Sequence, residues 1–243
     1  MRSTRTYHPF STARSRKHIV AILGILLIPF FTLLFFSYVA NITLPSVLAN
    51  LSVSLWRIGI AALVSIILGW TLAVLFYKGR RGTVALPVFD LLQSFPTSAA
   101  LPIAVLYLGA KGSTVIFFLI LSIIWPIFFS ILSSLRQLRH DWVEVVSLSG
   151  IRRFDYMRLF LIPVTTPALV TGTIIGLGDG WEALVATEII VGTRSGLGNF
   201  FNSFGGNAEV TLLGIIVFLT VIFAINKIIW LPLLDWSHHI TEE

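Results

Sequence analysis

Residues 114–135 read TVIFFLILSIIWPIFFSILSSL, 22 consecutive positions without a charged side chain. A helix rises 1.5 Å per residue, so about 20 apolar residues cross a hydrocarbon core roughly 30 Å thick. This stretch is therefore read as a membrane span. Outward from it, five more runs satisfy the same requirement: residues 19–40, 51–77, 84–109, 159–178 and 210–233. The composition agrees, with 56% hydrophobic and only 12% charged residues and a mean hydropathy of +0.91, against about 25% charged in a soluble domain. The expected fold is all-α, a polytopic membrane protein of about six transmembrane helices.

The run 84–109 differs from the others in carrying Pro87, Pro96 and Pro102. Proline removes a backbone donor and kinks or breaks a helix, so a broken span is expected, and broken spans line cavities. Gln93, Ser94, Thr97 and Ser98 surround Pro96. Polar side chains at this depth face protein or water, so they are candidates for a solute pathway. They equally suit a second role, satisfying backbone groups that the prolines free.

Lys and Arg favour the cytoplasmic side of short loops. With the amino terminus inside, the inner segments hold Arg2, Arg5, Arg14, Arg16, Lys17, Lys78, Arg80, Arg81, Arg136, Arg139, Arg152, Arg153, Arg158 and Lys227. The outer loops hold only Lys111 and Arg194. Both termini are then cytoplasmic, with a basic tail at 1–18, a membrane domain at 19–236 and a short tail at 237–243. The first run exceeds the 7–15 residues of a signal-peptide core and no small-x-small cleavage site follows it, so it reads as a retained helix. The net charge of +6 is a topology signal. Nucleic-acid binding is excluded as a reading, because the basic residues are scattered among loops and form no single face.

Enzymatic chemistry finds no residues to carry it. Cysteine is absent, and His8, His18, His140, His238 and His239 lack partners at metal-ligand spacing, so no metal or other cofactor is expected. Residues 109–114 imitate a phosphate loop in composition, but lie between two apolar runs without the required spacing. Any ATP hydrolysis is thus assigned to another chain.

The inner loop 136–158 is the more informative. Asp141 followed by Glu144 has capping-box spacing. Trp142, Val145, Val146 and Leu148 give the following helix an apolar side, and Gly150 suits the left-handed residue that ends it. A second short amphipathic stretch leads to Pro163. An ordinary charged loop with good caps fits these residues as well.

Glu144-Val145-Val146, Gly150 four residues later, and Ile162-Pro163 twelve beyond it resemble the Glu-Ala-Ala loop of bacterial ABC-importer permeases. Val145 and Val146 depart from the alanines common there. Leu55-Trp56-Arg57-Ile58-Gly59, Phe95-Pro96 with Leu101-Pro102 and Leu108-Gly109, and Glu188 with Gly196-Leu197-Gly198 resemble the nitrate/sulfonate/taurine branch.

The resemblance implies the type I importer permease fold and a subunit of an ATP-binding-cassette importer in the bacterial or archaeal inner membrane. It further implies a solute such as nitrate, a sulfonate or taurine, cytoplasmic ATPase subunits, an extracytoplasmic solute-binding protein and a second permease subunit. Glu144, Ser147, Gly150 and Arg153 would couple to the ATPase. An outer re-entrant segment is expected over 180–207, with Asp179, Glu182 and Glu188 beside it; Glu182 and Glu188 are candidates for the pathway or its gate. Arg57, just inside the outer end of the second run, could pair with one of these acids. The competing readings are a secondary transporter or channel, which needs intramembrane ion-coupling residues and corresponding broken helices in two halves, and a membrane enzyme, which needs a catalytic cluster.

Overall fold

The computed structural model describes residues 12–138, 148, 150, 153–230, 232–234 and 236–237, and every regular element among them is helical. In chain order these are α1 (Thr12–Val39), α2 (Leu44–Phe76), α3 (Gly79–Gln93), α4 (Thr97–Leu108), α5 (Gly112–Arg136), α6 (Ile162–Val191), α7 (Leu197–Ser203) and α8 (Ala208–Ile225). A helical turn at Arg153–Tyr156 and a π-helical turn at Met157–Leu161 run directly into α6, and a second π-turn at Asn226–Trp230 follows α8. The first π-turn adjoins Pro163, which has no N–H to return to the preceding turn.

Four helical stretches are long and apolar enough to cross a membrane: Leu44–Phe76, Gly112–Arg136, Phe154–Val191 and Ala208–Leu234. The α3/α4 pair makes a fifth crossing if taken as one span, bent by 80°. α1 adds a shorter apolar stretch, Leu23–Val39. The chain is thus a polytopic membrane protein, and its outer faces suit lipid: Phe31, Phe35, Leu63, Ile67, Leu212 and Leu219 are all exposed.

The bend in the third span falls at Pro96 alone. Pro87 and Pro102 lie inside α3 and α4. At the bend, Pro96 disfavours helix for the residue before it. The freed end of α3 is then closed by Ser94, whose N–H and Oγ both donate to the Asp90 carbonyl.

The core is built around α5, whose Val115, Leu119, Ile123, Ile127, Phe128 and Ile131 are fully buried. α6 reaches it through Gly172, Gly176 and Gly180, one residue per turn on a single face. A Cβ at Gly176 would sit 2.7 Å from the Ile123 carbonyl oxygen, and one at Gly172 would sit 2.8 Å from the Ile127 Cα. Only glycine permits this approach, the small-residue packing that membrane helices use where burial supplies no driving force. A second cluster joins α1, α2, α7 and α8 through Phe36, Val47, Leu51, Phe200, Phe201 and Val217. There the Thr32 and Thr220 hydroxyls share a 3.0 Å hydrogen bond between α1 and α8.

The region 180–207, expected as one outer re-entrant segment, divides differently. Residues 180–191 are the last turns of α6, which ends at Gly192 in the left-handed region at φ 68°; only the chain beyond it turns back to form α7. Polar residues that lower the hydropathy of this stretch are accommodated within the helix. The Thr187 hydroxyl donates to the Ala183 carbonyl, and Glu188 has partners on α2.

The loops fall at two separate ends of the bundle. Arg57 lies beside Gly112 and bonds Ser195, so the α4–α5 turn and the α6–α7 loop share one end. A Cβ at Gly82 would lie against the Phe76 carbonyl and the Arg136 guanidinium. Arg57 and Phe76 are 19 residues apart on α2, roughly 28 Å along the axis, close to the thickness of a hydrocarbon core.

Candidate functional site

The break at Pro96 opens a cavity of about 850 Å³ between the α3–α4 bend, the middle of α5 and the C-terminal half of α6. Its wall is formed by Gln93, Phe95, Thr97 and Ser98 from the bend, by Leu121, Ser122, Trp125, Pro126, Phe129 and Ser130 from α5, and by Ile175, Asp179, Glu182, Ala183 and Ala186 from α6. A volume of this order lies within the usual range for small-molecule sites, roughly 300–1,000 Å³.

Each element contributes for a local reason. Bending at Pro96 places Gln93, Phe95, Thr97 and Ser98 along one edge of the cavity. Asp179 and Glu182 are three residues apart on α6 and so share one face of it. Pro126 lies inside α5 on the same wall, where Ser130 Oγ donates to the Ala168 carbonyl at 2.8 Å and Ser122 Oγ to the Phe118 carbonyl at 3.2 Å.

Of the pathway candidates, Gln93, Thr97, Ser98 and Glu182 are thus brought together on one wall. Ser94 is not; it closes the end of α3. Glu188, a gate candidate by sequence, is not on this wall either.

Glu188 is fully buried one helical turn and a half beyond Glu182, facing α2. Its carboxylate lies 2.5 Å from Arg57 Nη1, and Ser54 Oγ is 2.9 Å from both carboxylate oxygens. The Gly198 N–H donates to Oε2 at 2.8 Å. Around this pair, Arg57 Nη1 donates to the Ser195 carbonyl, the Leu197 N–H donates to Ser54 Oγ, and the Gly196 N–H donates to Asn50 Oδ1. The start of α7, whose backbone donors have no intrahelical partner, is therefore held by α2 and by the end of α6. Gly196 and Gly198 make the approach possible: a Cβ at Gly196 would fall 2.5 Å from the carboxylate oxygens, and Gly196 has φ 114°. Among the described residues this is the only ion pair. A charge pair so placed is sustained by its hydrogen bonds, since desolvation alone would disfavour it.

Asn50, Ser54, Trp125, Phe129, Ser122 and Ser130 are not singled out by sequence reading. A glycine every four residues from Gly172 to Gly180 is a spacing that does signal close helix packing. In the 136–158 segment, Gly150 has φ 67°, the left-handed conformation expected for it. Glu144 and Ser147 lie outside the described residues, as does the Arg153 side chain.

A family model described as "Binding-protein-dependent transport system inner membrane component" matches residues 65–233. The chain is 32% identical over 168 residues to the nitrate import permease protein NrtB of Leptolyngbya laminosa, covering 67% of this chain and 60% of that protein. It is 29% identical over 181 residues to the taurine transport system permease protein TauC of Escherichia coli (strain K12), covering 73% and 65%. It is 26% identical over 148 residues to the bicarbonate transport system permease protein CmpB of Synechococcus elongatus, covering 60% and 53%. The matched part spans less than two thirds of each of these relatives. Among solved structures, a chain of the MetNI methionine ABC transporter in an inward-facing conformation superposes with a TM-score of 0.55 at 20% identity, covering 72% of this chain and 91% of that one.

Proposed function

The chain belongs to the family of binding-protein-dependent transport system inner membrane components, and on that premise we propose that it is the permease subunit of an ATP-driven importer. The observation that carries the proposal is that the matched residues 65–233 contain every side chain on the wall of the 850 Å³ cavity, together with the left-handed turn at Gly150. A pathway and a transmission element then belong to one stretch matched by the family.

In this reading six helical crossings, α1, α2, the bent α3/α4 pair, α5, α6 and α8, make a multi-pass inner-membrane subunit with both termini cytoplasmic. The cavity is the part of the solute path that this subunit contributes, and a second permease subunit completes it. Hydrolysis of ATP belongs to separate cytoplasmic ATPase subunits that dock on the 136–158 segment, through Glu144, Ser147, Gly150 and Arg153. A solute-binding protein delivers its cargo at the Arg57 end. The solute is small and polar, in keeping with the nitrate, taurine and bicarbonate named for the relatives.

Purification in mild detergent tests this directly. The chain should retain an ABC ATPase, identified by mass spectrometry, through size-exclusion chromatography. A stable complex free of any ATPase, together with solute transport by the chain alone down an ion gradient, would overturn the proposal.

A further inference from the structure

We infer that the cavity at the α3–α4 bend takes a solute bearing a protonated nitrogen, an amine or an amino-group zwitterion, in preference to a simple anion such as nitrate. The inference rests on the permease reading and names the chemistry that the path accepts.

Charge is the first ground. Asp179 and Glu182 both lie on the wall, and among the described residues no Lys, Arg or His does. The contrast with Glu188 is informative. That acid, buried for structure, has a guanidinium, a hydroxyl and a backbone N–H around it. Asp179 and Glu182 have no ion-pair partner among the described residues, and both are exposed to the cavity. Two carboxylates on a wall flanked by low-dielectric protein and lipid set a negative potential that concentrates cations and excludes anions.

Aromatic surface is the second and independent ground. Phe95, Trp125 and Phe129 line the same cavity, and ring faces attract ammonium groups, tryptophan most strongly. Carboxylates alone would suit a metal ion or water. Carboxylates beside three aromatic rings suit an organic cation, whose charge meets the acids while its carbon skeleton lies against the rings. Gln93, at the bend, offers both a donor and acceptors to the remaining polar end of a zwitterion. In a pair of such subunits both features double across the path, and the discrimination against nitrate strengthens.

The test uses the full-length chain isolated from its native membrane with its bound subunits, placed in lipid nanodiscs and titrated calorimetrically with ethylammonium chloride, taurine and sodium nitrate. Saturable binding of ethylammonium, of taurine or of both is expected, with nitrate giving no more heat than a chloride control. Ethylammonium binding alone identifies a simple cation as the ligand; taurine binding alone identifies a zwitterion. In the Asp179→Asn/Glu182→Gln variant, amine binding should weaken by at least about tenfold, the loss of one good charge contact. Nitrate binding that is saturable and survives in this variant would overturn the inference, as would amine binding that is absent or unchanged by the substitutions. Retention of the ATPase in the same preparations separates the two claims. Where it is retained, such failures remove only the solute class; where the wild-type chain retains none, the permease reading falls and this inference with it.

Discussion

Glu188 shows how one acid changes meaning when its surroundings are known. By sequence it is a lone carboxylate at membrane depth, which reads as functional by default. In the fold it is fully buried and satisfied by Arg57, Ser54 and the Gly198 N–H. Removing one partner of such a pair leaves an uncompensated charge and costs about 3–5 kcal/mol, whereas deleting a single hydroxyl that bonds a charge costs about 1–3 kcal/mol. Glu188→Ala is therefore expected to lower thermal stability in detergent more than Ser54→Ala does, and to expose the amides of Leu197–Ser203 to hydrogen exchange. Equal melting of the two variants, with α7 still protected in Glu188→Ala, would contradict this role. Arg57 and Glu188 are 131 residues apart; the sequence offers Arg57 a pairing with one of three acids without choosing among them, and the fold selects Glu188. Asn50 and Ser54 carry no signal until α7 is seen against α2.

Among the elements, the broken third span was legible in the sequence because three prolines fall within one apolar run and each removes a backbone donor. Which of three prolines would break the span was not legible, since Pro87 and Pro102 are absorbed within helices. The length of α6 was not legible either. Asp179, Glu182 and Glu188 lower the hydropathy of its C-terminal half, and only the cavity and the Arg57 pairing show how a helix can carry them. Its packing face was readable in principle from the glycine spacing. Gly176 and Gly178 offer a test on one helix. A Cβ at Gly176 would press on backbone, the Ile123 carbonyl, while one at Gly178 meets nothing within 4 Å. Gly176→Ala should destabilise the α5–α6 pair by about 1–3 kcal/mol, the usual cost of overpacking. Gly178→Ala should be neutral or stabilising by up to about 1 kcal/mol, since glycine within a helix is itself unfavourable. Thermal unfolding of both variants checks the order, and a reversed order would mean that α6 does not pack on α5 through this face.

At the scale of the molecule, long apolar runs disclose that the chain lies in lipid and roughly where it crosses, but not which face of a span looks inward. Trp125 and Phe129 sit within an unbroken apolar run, and nothing in the run distinguishes them from Phe117, which is exposed. The cavity is therefore a product of assembly, of α5, α6 and a bend packed by glycine contacts. The 136–158 segment is complementary: the left-handed turn at Gly150 was legible, and its φ of 67° would strain any Cβ, while Glu144 and Ser147 lie outside the described residues. Valine at Gly150 adds a stiff β-branched side chain to a backbone that disfavours it, with none of the described residues within 4 Å of its Cβ. Such a change should leave the bundle intact and disturb only what the loop transmits. The most direct measurement of the central claim is uptake of solute into proteoliposomes that contain the chain with its ATPase and solute-binding protein. Uptake should require ATP, persist when all ion gradients are collapsed by ionophores, and be abolished in Gly150→Val although that variant still inserts and melts like the wild type. Uptake that needs no ATP and follows an imposed ion gradient would contradict the account.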